Sequence, residues 1–271
     1  MTPPYIAIGG GHELFVRDWG GRRGGPTALL LASWGMDSRL WSSTMTALND
    51  AGVRTVAYDR RGHGRSTDPG IVDYDLLADD LHEVVSALDL RSVTIVAHSA
   101  AAGEAIRYLS RHGSERVARI IIVGGTGPRM LAAPDNPTGL PPAMLDMVLS
   151  QLSSDLEGWI DANAEPFAPG ATSRTIDWLA AMLLDVSRRI LVDFQRVAAE
   201  TDLTDEARSI AVPTTIIHGD RDASAPIDLT ARRYAEIIDG AELIVYEGVA
   251  HGVMIDARDR LASDILARII A

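Results

Sequence analysis

The 271-residue chain contains no cysteine. Disulfides and thiolate metal sites are therefore excluded, and nothing in its redox chemistry marks an oxidising compartment. Positive charge is scarce as well: 25 Lys and Arg stand against 37 Asp and Glu, a formal net charge of -12. So acidic a surface repels phosphate backbones and anionic lipid, which argues against nucleic acid and membranes as partners. Long apolar runs are missing too, because stretches such as Ala28 to Ala32 are too short to span a bilayer. The opening MTPPYIAIGGGHELFVRD lacks the basic and apolar regions of a secretory signal, so a soluble cytoplasmic protein is expected.

What the chain does have is a rhythm. Short apolar runs recur as ELFVRDW, TALLLASW, RTVAYD, VTIVAH, RIIIVGG, TTIIHGD and AELIVYEG. From TALLLASW onward they are almost continuous Val, Ile, Leu and Ala, the composition of strands covered on both faces of a parallel sheet. Between them lie stretches such as YDLLADDLHEVVSALDL, in which Leu76, Leu77, Leu81, Val84, Val85 and Leu88 recur at helical spacing. The alternation predicts an α/β fold with a mostly parallel, doubly wound sheet.

The rhythm breaks after Gly127. Residues Arg129 to Pro142 are rich in Pro, Asn and Gly, and the following stretch reads as helical to about Ala207, without a convincing strand. The α/β pattern returns at SIAVPTTIIHGD. The expected organisation is a sheet domain in two parts, 1–127 and 208–271, with a helical cap inserted at 128–207. No internal repeat or low-complexity tract interrupts it.

The chemistry gathers where strands end. Ser99 follows the apolar run Val93 to Ala97 and precedes a helix through Glu104 and Tyr108, so it sits on a sharp strand-to-helix turn. A nucleophilic serine on such a turn is usually written G-x-S-x-G; here Ala97 and Ala101 make it A-x-S-x-A. The physical demand at those two positions is small size, which alanine meets unless the backbone needs positive φ. A serine hydroxyl also needs a base and a group to orient that base. GDRDASAP offers Asp222, with Asp220 as competitor, and EGVAHGV offers His251. Each candidate lies just past a strand end, where ligands bind in open α/β sheets.

Donors for an oxyanion are expected from two amides, that of Ala100 beside the serine and that of Trp34 in ASWGMDSRLW. Ser33 and the cap residues Trp159, Trp178 and Met182 are candidate substrate contacts. Those cap residues, with Phe167 and Phe194, divide between a pocket wall and the cap's own core. His98 is expected to point away from its neighbour Ser99. The charged run Asp59, Arg60, Arg61, His63 and Arg65 reads as a scaffold of loop hydrogen bonds rather than an anion site.

Across nearly its whole length the sequence resembles the α/β-hydrolase superfamily, on the segments around Ser99, Asp222 and His251 and on YDRRGHGRSTDP. HSAAAGEAIRYLSRHGSERVARIIIVGG and GDRDASAPIDLTARR are similar to the cofactor-free haloperoxidase and arylesterase branch, and SWGMDSRLW to the corresponding loop of enol-lactone hydrolases. The resemblance implies hydrolysis of a small to medium apolar ester or lactone through an acyl-enzyme, with no metal or organic cofactor. In it the second acid of G-D-x-D, Asp222, orients the histidine. Gly35 stands where the peracid-forming branch often has proline, which counts against perhydrolysis. Carbon-carbon bond cleavage on the same triad, and a ligand-binding protein that has lost catalysis, are the other readings.

Overall fold

A computed structural model describes residues 4–270. In chain order the elements are β1 (Tyr5–Ile8), β2 (His12–Trp19), β3 (Thr27–Leu31), α1 (Ser42–Asp50), β4 (Arg54–Tyr58), α2 (Tyr74–Ala87), β5 (Val93–His98), α3 (Ala101–His112) and β6 (Val117–Val123). There follow α4 (Pro142–Ser154), α5 (Leu156–Phe167), α6 (Ser173–Asp185), α7 (Arg188–Glu200) and α8 (Thr204–Arg208). The chain closes with β7 (Thr214–Gly219), α9 (Ala231–Ile237), β8 (Glu242–Tyr246), α10 (Val253–Asp256) and α11 (Arg258–Ile270).

The eight strands form one sheet in the order β1-β2-β4-β3-β5-β6-β7-β8, parallel except at β1 and β2. Every residue of β5 and β7 is buried, as expected of strands covered on both faces. Helix α1 packs on α11, and α2 packs on α3, which in turn meets α8. The sequence pattern omits β1, a four-residue edge strand whose alternation places only Ile6 and Ile8 inside. Three glycines, Gly9–Gly11, return it onto β2 as an antiparallel hairpin.

Strand order reverses between β3 and β5, since β4 lies to one side of that pair and β6 to the other. Crevices form at the carboxyl ends of strands where the order reverses. The loop carrying Trp34 leaves β3 there, and Ser99 leaves β5 beside it. The helices α4 to α7 pack on one another between β6 and β7, with α4 on α7 and α5, and α5 on α6. Among the described residues no helix is long and apolar enough to cross a membrane.

Candidate active site

Ser99 has φ of 57°, a left-handed conformation that costs a non-glycine residue free energy and persists only when its surroundings enforce it. They do. Its N-H donates to the Val123 carbonyl at 3.0 Å, and its carbonyl accepts from the amides of Ala102 at 3.0 Å and Thr126 at 3.1 Å. Ala97 and Ala101 are not in positive-φ conformations, so their methyl groups create no backbone strain. The need for glycine falls further along, at Gly103, where a Cβ would lie 2.2 Å from the Tyr74 ring.

The serine hydroxyl lies 2.9 Å from His251 Nε2, and His251 Nδ1 lies 2.7 Å from Asp222 Oδ2. All three side chains are buried. The other Asp222 oxygen accepts from the Ala225 amide at 2.7 Å. Burial opposes the Asp222 charge, but the hydrogen bonds and charge interactions with His251 and His218 outweigh it and hold the carboxyl below its ordinary range. Asp220 is exposed and accepts from the Gly248 amide at 2.6 Å, tying the loop after β7 to the loop after β8. His98 points behind the site: its Nε2 donates to the His251 carbonyl at 3.1 Å, and burial, reinforced by repulsion from His251, lowers its pKa to about 3.

Two partners of this cluster carry no sequence motif. His218, in the buried strand β7, puts Nε2 3.2 Å from Asp222 Oδ2 and 2.8 Å from the Ala225 carbonyl. The hint of it in the sequence is a histidine directly after the apolar pair Ile216 and Ile217 in TTIIHG. Thr126, just past β6, puts its hydroxyl 3.3 Å from Ser99 Oγ.

The amides of Trp34 and Ala100 have no hydrogen-bond acceptor among the described residues. The Trp34 indole is anchored to α7 through Nε1, 2.8 Å from the Leu191 carbonyl, and meets Trp159 edge to face at 5.3 Å. The charged run is a scaffold. Asp59 accepts from the amides of Ser38 and Arg65, Arg61 pairs with Asp80, Arg65 lies over the Phe15 ring, and Arg60 pairs with Glu104.

A cavity of about 400 Å³ opens on Ser99 and His251. Ser33, Trp34, Ala100 and Trp159 line it. Two expected wall residues are corrected here, because Trp178 and Met182 do not line it. Along α6 the lining residues are Ile176, Leu179, Ala180 and Leu183, one helical stripe, whereas position 178 faces away from that stripe and position 182 lies beside it, turned into the core. Met182 is 1% exposed and belongs to the core. Phe167 lines the cavity, while Phe194 is buried against Tyr74 and His63. No Asp, Glu, Lys or Arg is among the described residues that line the cavity, and no group of three or more His, Asp and Glu among the described residues is arranged to hold a metal ion.

Residues 28–264 match the model of a family described as the alpha/beta hydrolase family. The non-heme chloroperoxidase CPO-A1 of Kitasatospora aureofaciens is 36% identical over 95% of both chains. The bifunctional esterase/perhydrolase DCH of Acinetobacter calcoaceticus is 30% identical over 97% of this chain and 98% of its own. Among solved structures, an esterase from Exiguobacterium antarcticum superposes with a TM-score of 0.93 at 26% identity, covering 98% of this chain and 99% of its own.

Proposed function

The chain belongs to the alpha/beta hydrolase family, and on that premise we propose that it cleaves a small to medium, uncharged carboxylic ester or lactone through an acyl-enzyme on Ser99. One observation carries the reading: the unbroken relay from Ser99 Oγ through His251 to Asp222, at 2.9 and 2.7 Å, opens on an apolar cavity. Ser99 Oγ attacks the carbonyl carbon while His251 Nε2 takes its proton. The ionised Asp222 orients His251 through Nδ1 and stabilises the imidazolium. The amides of Trp34 and Ala100 receive the oxyanion. His251 then protonates the departing alcohol oxygen, and water, activated by the same nitrogen, releases the acid and restores Ser99. Every step uses side chains and amides of this chain plus water.

Residues 128–207 act as the cap that shapes the cavity, and its lining selects apolar acyl or alcohol groups. A charged substituent would be desolvated there without a counter-ion. A fluorophosphonate probe tests the reading: wild type is expected to be labelled and Ser99→Ala is not. Absence of labelling in the wild type would sink it.

The names of two relatives, a non-heme chloroperoxidase and an esterase/perhydrolase, favour a second reading in which hydrogen peroxide replaces water. The acyl-enzyme carbonyl would then be attacked by a peroxide oxygen, releasing a peracid and restoring Ser99. Bromination of a dye in acetate buffer with peroxide and bromide measures this, and rates equal to those of Ser99→Ala dispose of it.

A further inference from the structure

Arg60 is almost sealed from solvent, its side chain 3% exposed against 0% for Glu104. Its Nε and Nη2 donate to Glu104 Oε2 at 2.8 and 2.6 Å. Nη2 also donates to the Ala32 carbonyl at 2.8 Å, and Nη1 to the Ser33 carbonyl at 3.2 Å. The Tyr58 hydroxyl donates to the other Glu104 oxygen, and the Phe194 ring faces the guanidinium at 5.0 Å. A buried ion pair is a poor source of net stability, because desolvation offsets most of the attraction. Its geometric consequence is larger.

The Ser33 carbonyl and the Trp34 N-H are opposite ends of one planar trans peptide, so they point in opposite directions. A guanidinium on the oxygen therefore sets the direction of the N-H. The Trp34 indole is fixed separately on the Leu191 carbonyl, and Gly35, at φ of 67°, turns the chain immediately afterwards. The second amide is held by the same logic: the Ser99 carbonyl, opposite the Ala100 N-H, is gripped by the amides of Ala102 and Thr126.

We propose that Arg60 is a positioning residue for acyl transfer, whose grip on the Ala32 and Ser33 carbonyls aims the Trp34 amide at the oxyanion and strengthens it as a donor. The strengthening is the polarisation of a peptide whose oxygen already accepts a charged hydrogen bond. Glu104 is the counter-charge that seats the guanidinium, and Tyr58 satisfies its remaining oxygen. The inference rests on the serine-hydrolase reading above.

The test compares wild type with Arg60→Lys and with the double variant Arg60→Met, Glu104→Leu, which removes both buried charges together. Each is assayed on p-nitrophenyl butyrate for kcat and KM. Each is also titrated with an alkyl trifluoromethyl ketone, which forms a tetrahedral adduct on serine, and with the matching alcohol, which forms none. The tryptophan amides are followed by 15N NMR. In the double variant kcat and ketone affinity are expected to fall together by about 30-fold, less than the roughly 10²–10³ for deleting a donor, because the amide is misaligned rather than absent. Arg60→Lys, which keeps the charge but not the fork, loses about fivefold. KM and alcohol affinity stay within about twofold, and the Trp34 amide resonance moves in both variants.

Unchanged kcat and ketone affinity in a folded variant, or an unmoved Trp34 amide, overturns the proposal. So does a parallel loss of alcohol affinity, which assigns Arg60 to general scaffolding. If the double variant does not fold, Arg60→Lys decides. Failure of the hydrolase reading is distinct: wild type itself leaves ester and ketone untouched, and the Trp34 amide still decides the positioning claim.

Discussion

His218 and Asp222 face each other inside the protein, Nε2 3.2 Å from Oδ2, with both side chains fully buried. That oxygen is also the one His251 reaches at 2.7 Å, so two imidazoles converge on one carboxylate oxygen. His218 Nε2 is 2.8 Å from the Ala225 carbonyl as well, and its Nδ1 has no partner among the described residues. Both neighbours of Nε2 are acceptors, so it carries a hydrogen shared between the Ala225 carbonyl and Asp222.

Asp222→Asn is expected to lower kcat by about 10⁴-fold, because an amide no longer enforces the His251 tautomer that accepts the serine proton. Asp220→Asn should stay within about twofold of wild type, since an amide oxygen can still accept from Gly248. Steady-state assays on p-nitrophenyl acetate check both, and comparable losses in the two variants would refute the assignment of the acid.

Thr126 is held at both ends of its backbone, its N-H on the Ser99 carbonyl and its carbonyl under the Tyr234 hydroxyl at 2.7 Å. Its hydroxyl is left to donate to Ser99 Oγ while Ser99 donates to His251. Losing one such bond is worth about 1 kcal/mol, so Thr126→Val should reduce kcat/KM about fivefold. Thr126→Ser should recover most of the loss. A serine variant as impaired as the valine variant would mean that the methyl group matters, not the hydroxyl.

Stability should fall on the acid side for a reason that can be isolated. Burial, with Arg60 nearby, lowers the pKa of His63 to about 3, and burial beside His251 does the same for His98. The unfolded chain protonates each ring below about 6.5, but the folded chain holds it neutral until about 3, so in that window protons favour unfolding. Each histidine adds a slope of about 1.4 kcal/mol per pH unit as pH decreases. Urea unfolding from pH 7 to pH 4 measures it, and His63→Gln should remove one such share. An unchanged slope in that variant rejects the account.

The cavity walls separate selectivity from stability. Trp159→Ala should raise the preference for octanoate over acetate esters by about tenfold, since each methylene admitted to an apolar pocket contributes about 1–3 kcal/mol. Trp178→Ala should leave that preference unchanged. Met182→Ala should instead cost about 2–5 kcal/mol of stability, as a cavity in the core. A changed preference in the Trp178 variant would contradict the helical phase described for α6.

The alanines around Ser99 illustrate how far local reasoning reaches. Size alone made Ala97 and Ala101 acceptable, and the backbone places its positive φ on Ser99 itself, with the tight glycine at Gly103. Hydrophobic periodicity was enough to locate the strands from β2 onward and the helical block between β6 and β7, because burial on both faces leaves a nearly continuous apolar signature. The short edge strand β1, half exposed, leaves almost none.

From the amino-acid order alone follow the alternating architecture and the positions of Ser99, Asp222 and His251 at strand ends, since each depends on neighbours close in sequence. Only the tertiary structure decided that Trp159 faces the cavity while Trp178 and Met182 do not, that His218 meets Asp222, and that Arg60 grips the peptide of Trp34. Those depend on the rotation of a helix about its axis and on pairings between distant segments, which packing sets and no local pattern encodes.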